Sequence, residues 1–261
     1  MIDAHAHLSA PSISGTLFEV VAGLLKGGLS RVINGGVDPD DWTRQLEISK
    51  TYPDFIGTAA GIHPWTVRDR NENEIKLMFD RLRAEVGLFD LIGEVGLDFY
   101  KDKSPEQKAK QLKWCNAQLD LAISLEKAVI LHVVKAHDVM LGLLNEHRRI
   151  RGVIHGFNGG RELAYEYARR GFLISVGSRF LRNKSSKDLL WLKDMPFVIE
   201  SDLPRYQTTV FEAKNMTDEW LGDLGFSAKK LADAFGVSQA KIWELSDANV
   251  SSIISGTKYP A

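Results

Sequence analysis

The chain has 261 residues, a formal net charge of −1 and a hydrophobic content of 44%, which are values typical of an ordinary soluble globular protein. No segment approaches the roughly 20 apolar residues of a membrane-spanning helix, and a net charge near zero excludes a general attraction to nucleic acid. The single cysteine, Cys115, excludes an internal disulfide framework and favours a reducing compartment. We therefore expect a cytoplasmic protein without a membrane anchor.

Short apolar segments alternate with longer amphipathic segments eight times along the chain. The predicted strands are, in chain order, Met1–His5, Arg31–Gly35, Phe55–Ile62, Leu91–Glu94, Ala128–Val133, Gly152–His155, Phe172–Val176 and Phe197–Asp202. The helical pattern between strands is clearest in Pro105–Leu125, where apolar residues recur at helical spacing after a capping serine. Two more helical segments, Ser227–Phe235 and Ser238–Asn249, follow the last strand and are expected to pack on the outside of the assembled strands.

Alternation of strands and helices predicts parallel strands joined by right-handed crossovers. Eight such units in about 250 residues are typical of a (β/α)8 barrel, the TIM barrel. A doubly wound open sheet is the alternative, because one sequence does not fix the number of strands. We find neither an internal repeat nor a Pro/Gly-rich linker, and we predict one domain over residues 1–261.

Side chains that can bind metal fall at or just beyond the ends of five predicted strands. They are His5, His7, Glu94, His132, His155 and Asp202. The carboxyl ends of barrel strands meet at one rim, so these six groups are expected to converge there. A single histidine at a strand end is more often structural than a ligand, but the joint placement of all six favours a metal site.

Four histidines and two carboxylates exceed what one tetrahedral ion needs, and they suit two divalent ions that share a carboxylate. Glu94, from the middle of the strand order, is the predicted bridge. The remaining ligands form two groups by strand position: His5, His7 and Asp202 for one ion, and His132 and His155 for the other. Asp202 is also expected to accept the proton of the attacking water. Imidazole ligands favour zinc or manganese over magnesium, and the choice among the three stays open.

Two further carboxylates precede predicted ligands by two residues. Asp3 and Glu200 are therefore expected one layer below the metal site, inside the barrel. A buried carboxylate needs partners, and either of two roles would supply them. Each would orient a ligand imidazole or form a salt bridge within the barrel.

Six segments around these residues form a set that runs through residues 1–204. They are Asp3-Ala4-His5-Ala6-His7, Gly61-Ile62-His63-Pro64, Gly93-Glu94-Val95-Gly96-Leu97-Asp98-Phe99, Ile130-Leu131-His132, His155-Gly156-Phe157-Asn158-Gly159 and Glu200-Ser201-Asp202-Leu203-Pro204. Together they resemble the TatD-type metal-dependent nucleases of the amidohydrolase superfamily. The resemblance implies the same six metal ligands, a phosphate-facing role for His63 and a supporting role for Asp98. It also implies hydrolysis of phosphodiester bonds in DNA, often from the 3′ end, with a divalent cation.

Two positions depart from the pattern of many family members. Val134 stands where many carry an arginine, and Arg205–Thr209 keeps only one arginine where many carry a basic segment. Both departures concern the handling of substrate, since the predicted ligand set is intact.

The segment after the seventh predicted strand offers a different source of positive charge. Residues 177–187 contain four cations and no acid, and the loops after strands seven and eight of a barrel commonly bind phosphate. We predict that Arg179, Arg182 and Lys184 bind the backbone of a single-stranded DNA substrate, with Phe180 as a stacking surface. A solvated helix start is the plainer interpretation of the same residues.

The predicted function is a metal-dependent deoxyribonuclease that acts on single strands in the 3′-to-5′ direction through a metal-activated hydroxide. A first alternative is hydrolysis of a small lactone, amide or phosphoester at the same centre, because a fold does not fix a function. A second is an accessory subunit that binds metal without catalysis. The complete ligand set argues against this second alternative.

Overall fold

The parallel strands follow one another around the sheet in chain order. The computed structural model describes residues 1–101, 103–204 and 213–256. The strands are β1 (Ile2–Ala6), β2 (Arg31–Asn34), β3 (Ile56–Gly57), β4 (Ala59–Ala60), β5 (Leu91–Asp98), β6 (Val129–Val134), β7 (Gly152–His155), β8 (Phe172–Val176) and β9 (Phe197–Ile199). They pair in the orders β1-β2-β3 and β4-β5-β6-β7-β8-β9. A doubly wound sheet reverses its strand order, and no reversal occurs in the described strands, so the predicted barrel is confirmed.

Helices cover the outside of the strands. They are α1 (Leu17–Lys26), α2 (Pro39–Thr51), α3 (Pro64–Asp69), α4 (Glu72–Glu85), α5 (Pro105–Ser124), α6 (His137–Glu146), α7 (Arg161–Ala168), α8 (Ser178–Leu181), α9 (Ser186–Leu189), α10 (Ala213–Phe235) and α11 (Gln239–Ser255). Side chains of Asp38, Asn71, Ser104 and Ser238 accept backbone hydrogen bonds at the starts of α2, α4, α5 and α11, which satisfies donors that a helix start leaves free. None of the described helices combines the length and the hydropathy that crossing a membrane requires.

The third predicted strand is divided at Thr58 into β3 and β4, and each half pairs with a different neighbour. The backbone N–H of Thr58 donates to the Asp90 carboxylate at 2.8 Å, while its carbonyl accepts from the N–H of Leu91 at 3.1 Å. The chain therefore passes directly from one three-stranded ladder into the six-stranded one.

A second junction joins the two ends of the sheet, between β1 and the residues that follow β9. The N–H of Asp202 donates to the carbonyl of His5 at 3.0 Å, and the N–H of His7 donates to the carbonyl of Leu203 at 2.8 Å. These two bonds hold His5 of β1 and His7, which follows it, beside Asp202. We call this junction the seam.

The buried carboxylate of Asp3 reinforces the seam from below. It accepts hydrogen bonds from the N–H of His5 at 3.2 Å, from the N–H and hydroxyl of Ser201 at 3.0 and 2.5 Å, and from Nε1 of Trp220 at 2.7 Å. Burial raises the pKa of Asp3 to about 6 in spite of these donors. Asp3 forms no salt bridge with a described residue, and it supports the predicted ligand His5 through the backbone N–H and not through the imidazole.

Strand side chains alternate between the barrel interior and the helices outside, as the period of two requires. The interior cluster contains Ala4, Ile33, Ala59, Leu91, Ile130, Val153, Leu173 and Val198, together with Val250 and Ile253 of α11. Helix α11 thus covers the amino end of the barrel, whereas we had expected it on the outer wall. With this end filled by apolar groups, the opposite rim is left for polar side chains.

Two boundaries differ from the prediction in ways that matter for the site. Strand β5 continues to Asp98, so Glu94 lies inside the strand and not at its end; the ladder with β6 shifts register between Ile92 and Val95. Strand β9 ends at Ile199, and Asp202 follows three residues later on the turn of the seam.

Candidate metal centre and substrate cavity

The carboxylate of Glu94 lies buried at the middle of a ring of imidazoles. Its Oε1 is 3.7 Å from Nε2 of His5 and 3.5 Å from Nε2 of His7. Its Oε2 is 2.7 Å from Nε2 of His155 and 3.4 Å from Nδ1 of His132. Oε1 therefore faces His5 and His7, and Oε2 faces His132 and His155, with His63 also nearby at 3.6 Å. The two predicted ligand groups lie on different oxygens of Glu94 and stay a prediction.

Asp202 completes the group on the β1 side. Its Oδ1 lies 3.9 Å from Nε2 of His5 and 3.6 Å from Nε2 of His7. The side chain is 26% exposed, compared with 2% for Glu94, so Asp202 is the more open of the two carboxylates. Its backbone has φ +57°, a left-handed conformation that aspartate tolerates better than most residues.

Three of these atoms lie close enough together to face one cation, although two of the distances are shorter than an ion would impose. A tetrahedral ion with bonds of about 2.1 Å separates its ligand atoms by about 3.4 Å. Nδ1 of His132, Nε2 of His155 and Oε2 of Glu94 lie 2.7 to 3.4 Å apart, with 2.9 Å between the two nitrogens. All six predicted ligands are thus brought together at one centre, where they could hold divalent metal.

Unpartnered buried nitrogens provide an independent test of whether metal fits. Neither ring nitrogen of His5, and not Nδ1 of His155, makes a hydrogen bond within the described part of the chain. Buried polar atoms of this kind are rare in proteins unless a ligand or ion satisfies them. Burial lowers the pKa of His5 well below its ordinary value, so the ring is neutral and has a lone pair to offer. The donor set fits a divalent cation.

A glycine makes room for His5. Gly35 follows β2, and a Cβ at this position would collide with Cε1 of His5 and come within 2.9 Å of Oε1 of Glu94. The Gly35-Gly36 pair after the second strand is the sequence signal for this close approach, although it says nothing of what approaches.

The carboxylates raise the pKa of three of the clustered imidazoles, those of His7, His132 and His155. Burial alone would lower the pKa of His7, but a hydrogen bond with Asp202 and the charge of Glu94 raise it to about 9. Burial likewise opposes protonation of His132, but Asp98 and Glu94 raise its pKa to about 9. In the metal-free protein the rings of His7 and His132 therefore carry protons at neutral pH, and a metal ion must displace them.

The imidazoles in turn keep the carboxylates ionised. Burial alone would raise the pKa of Glu94, but the charge of His155 and the hydrogen bond with His132 outweigh it and hold the pKa well below its ordinary value. The pKa of Asp202 is lowered in the same way, against burial, by His7 and His155. Both carboxylates are therefore anionic at any physiological pH.

His63 has a different role from the other histidines of the ring. It is the N-cap of α3, and its Nδ1 accepts a hydrogen bond from the backbone N–H of Trp65 at 3.0 Å. Burial lowers the pKa of His63 to about 3, so the ring is neutral and its single proton is assigned to Nε2. That nitrogen faces the centre, 3.6 Å from Oε2 of Glu94. A protonated Nε2 donates hydrogen bonds and cannot bind metal.

Asp98 orients His132 from behind. Its Oδ2 accepts from Nε1 of Trp65 at 2.6 Å and lies 3.4 Å from Nε2 of His132, while its Oδ1 accepts from the N–H of Tyr100 at 3.0 Å. Burial alone would raise the pKa of Asp98, but the bonds from His132 and Trp65 lower it to about 2. An even spacing of four residues from Glu94 on one strand is the signal that could have revealed this contact without the family resemblance.

Glu200 supports the loop that follows His155. One carboxylate oxygen accepts a hydrogen bond from the N–H of Gly156 at 2.6 Å. Burial raises the pKa of Glu200 to about 7, against the charge of His155. Of the two predicted roles, positioning of a ligand is the nearer, although Glu200 acts on backbone and not on the imidazole ring.

The centre opens into a cavity of about 550 Å³ that is lined by residues from the ends of several strands. Arg179 lines this cavity, beside Asp202. Arg182 and Lys184 do not line it; Arg182 is exposed, and Nζ of Lys184 lies over the Phe180 ring at 4.5 Å.

The stacking role predicted for Phe180 is wrong. The side chain is buried and packs on Phe157, with ring centroids 5.9 Å apart, so no base can reach it. The departure noted at Arg205–Thr209 lies outside the described residues.

Comparison with known proteins agrees with this geometry. The family model described as TatD related DNase matches residues 2–255. The metal-dependent hydrolase YabD of Bacillus subtilis (strain 168) is 29% identical over 219 residues, which cover 82% of this chain and 84% of that protein. The 3′-5′ ssDNA/RNA exonuclease TatD of Edwardsiella piscicida is 34% identical over 164 residues, 62% of each chain.

Among solved structures, the crystal structure of YjjV, a TatD homologue from Escherichia coli K12, superposes with a TM-score of 0.80 over 97% of both chains at 22% identity. That likeness supports the barrel fold. The family model matches nearly the whole length and therefore supports membership of the family, so the resemblance inferred from the motifs is confirmed. The chain belongs to the TatD-related DNase family and is a metal-dependent hydrolase.

Proposed function

We propose that this hydrolase cleaves phosphodiester bonds of single-stranded DNA, from the 3′ end, with two divalent cations that share Glu94. The observation that carries the proposal is the division of the Glu94 carboxylate between two pairs of histidines, at the base of an open cavity. Family membership supports the substrate class, as does the name of the exonuclease relative from Edwardsiella. The identity of the ions, magnesium, manganese or zinc, is left to experiment.

In this proposal the protein side chains divide the work around the phosphate. Bound ions supply a Lewis acid and an activated water at neutral pH. Asp202, the more open of the two carboxylates at the metal centre, accepts the proton of the attacking water and returns it to the leaving oxygen. His63 donates its Nε2 proton to a non-bridging oxygen of the phosphate, where negative charge develops.

Basic side chains outside the metal centre bind the rest of the DNA strand. Arg179 lines the cavity and would pair with the phosphate next to the cleaved one. Arg182 lies three residues later, on the same side of the helical turn, and would meet the following phosphate. Lys184 would add charge beyond that point. The cytoplasmic location and the single-domain organisation inferred from the sequence stay predictions.

A metal-reconstitution assay tests the proposal. The protein is stripped with EDTA, reloaded separately with Mn²⁺, Mg²⁺ or Zn²⁺, and incubated with single strands labelled at the 3′ or the 5′ end. We expect metal-dependent loss of nucleotides from the 3′ end, and a rate about 10²-fold or more lower in Asp202→Asn. Metal analysis should give two ions per chain, and fewer in Glu94→Gln.

The alternatives give different results in the same experiment. Turnover of lactones or phosphomonoesters in a parallel panel, without DNA cleavage, would assign the centre to a small-molecule hydrolase. Binding of metal without turnover of any substrate would favour the accessory subunit. Either result would overturn the nuclease proposal.

A further inference from the structure

An exposed aromatic side chain stands at the mouth of the cavity. Tyr100 follows β5 and is 63% exposed, yet it lines the same cavity as Glu94 and Asp202. A single exposed aromatic needs no explanation in itself. Its position at the entrance of a hydrolytic centre is what calls for one.

Two hydrogen bonds fix the backbone that leads into Tyr100. Its N–H donates to Oδ1 of Asp98 at 3.0 Å, and the N–H of Phe99 donates to the carbonyl of Val134 at 2.9 Å. The same Asp98 carboxylate contacts His132 and Trp65. The backbone N–H of Tyr100 is thus tied to a carboxylate that also contacts a predicted metal ligand, so Tyr100 begins its loop beside the metal centre.

Apolar side chains continue the wall that Tyr100 begins. Val134, which pairs in register with Asp98, lines the cavity beside it, together with Trp65 and Val37. Val134 is the position where the resemblance leads one to expect an arginine. With valine there, this position offers contact area instead of charge, while Lys101 and Arg179 also line the cavity.

Arg179 and the wall around Tyr100 come from different parts of the barrel rim. Arg179 follows β8, three strands along the rim from β5, so a phosphate paired with it lies away from Tyr100. A flat uncharged group attached to the cleaved phosphate would lie against the opposite wall. A cavity of about 550 Å³ is of the size that accepts one small organic group.

We propose that Tyr100, with Val134 and Trp65 beside it, forms a base-binding wall that stacks the nucleobase of the nucleotide being removed. The inference rests on the proposed function, and it adds a requirement for an aromatic base next to the cleaved phosphodiester. Stacking of a base on an aromatic side chain contributes about 1–3 kcal/mol and tolerates any sequence. Tyr100 thereby selects nucleotides over small aliphatic esters.

Fluorescence of 2-aminopurine tests the stacking directly, because its emission falls when the base stacks. Single-stranded decamers carry the probe at the 3′ or the 5′ end, with phosphorothioate linkages that resist cleavage. They are titrated with the full-length protein in Mn²⁺ and, separately, in EDTA. We expect quenching at one end with the native protein, and with Tyr100→Phe, which keeps the ring.

Tyr100→Ala should lose the quenching and bind the decamer about 5- to 150-fold more weakly. Phe18→Ala removes another exposed aromatic, which does not line the cavity, and should behave like the native protein. Absence of quenching at both ends in both conditions, or quenching that Tyr100→Ala retains, would overturn the inference.

A second comparison separates this inference from the nuclease proposal. Cleavage of a strand with a normal terminal nucleotide is compared with that of a strand whose terminal nucleotide is abasic. Tyr100→Ala should raise KM for the first and leave the second unchanged, whereas a general structural defect would affect both. Tyr100-dependent quenching without any DNA cleavage would refute the nuclease function and leave the base-binding wall in place.

Discussion

The backbone N–H of Trp65 donates a hydrogen bond to Nδ1 of His63 over 3.0 Å, and this contact decides which ring nitrogen of His63 carries the proton. A ring that accepts at Nδ1 and is neutral must be protonated at Nε2. His63 therefore enters the centre as a donor, although it lies within ligand distance of Glu94 and His132. Distance alone would have counted it among the ligands.

Substitutions distinguish His63, a hydrogen-bond donor, from the predicted metal ligands. His63→Ala should lower kcat/KM for single-stranded DNA by about 10²–10³, the loss typical of a donor to developing charge, while metal affinity stays within about twofold. His132→Ala should lose bound metal as well as activity. Calorimetric metal titration beside the kinetic assay provides the measurement. A His63→Ala protein that binds one ion fewer would show that His63 is a ligand after all.

Asp98 should control metal affinity through His132. Asp98→Asn leaves the side-chain shape unchanged but removes the charge that orients the ring, and loss of such an orienting partner lowers metal affinity by about 10- to 100-fold. Asp69→Asn is the matched control, since Asp69 is an exposed carboxylate paired with the neighbouring Arg68. Equal affinity in the two variants would remove Asp98 from the metal site.

Metal affinity should rise with pH. In the metal-free protein the pKa values of His7 and His132 are both raised to about 9, so below pH 9 each ring holds a proton that the ion must displace. Affinity should then increase between pH 6 and 9 by about tenfold per unit for each proton released, and level off above pH 9. Titrations in buffers of different ionisation enthalpy count the protons. A flat profile between pH 6 and 9 would contradict the raised pKa values.

The cations after β8 should set the salt dependence of DNA binding. Each phosphate contact on a single strand adds about 0.7 to the slope of log affinity against log salt. Arg179→Ala combined with Arg182→Ala should weaken binding and reduce the slope by about 1.4. Arg148→Ala combined with Arg149→Ala removes an exposed pair just before β7, at the opposite end of the barrel, and serves as the control. Identical slopes for the two double variants would place the phosphates elsewhere.

Asp3 should matter for stability. In Asp3→Asn an amide replaces one acceptor oxygen, and a buried donor, the Trp220 indole or the Ser201 hydroxyl, is left without a partner. We expect the free energy of unfolding to fall by about 1–3 kcal/mol, as measured by urea denaturation of the metal-free protein. Ser14→Ala, which removes an exposed hydroxyl, should change it little. No difference between the two variants would show that these bonds add nothing to the seam.

Much of the architecture could be predicted because each strand of a barrel is a short apolar segment followed by an amphipathic one. The ligands could be found for the same reason, since His5, His132 and His155 lie at the ends of such segments. The bounds of β5 could not be predicted from the sequence. Gly93-Glu94-Val95-Gly96 looks like a turn, and only pairing with β6 extends the strand to Asp98.

Partners far apart in the chain could not be predicted. Asp3 meets Trp220 across 217 positions, and no local pattern encodes that contact. The error at Phe180 has a local cause instead. Residues 178–181 form a single helical turn, too short for periodicity to show which side chains face inward. One turn places Arg179 at the cavity and the next residue, Phe180, in the core.

The seam has a consequence for how the molecule holds together. β1 and β9 share no regular ladder in the described residues, and the ring residues His5, His7 and Asp202 stand on its two sides. A cation bound by all three residues would link the first strand of the barrel to the segment that follows its last strand. If the seam opened, the metal-binding side chains on its two sides would separate. The protein can therefore be catalytically active only while the barrel is closed.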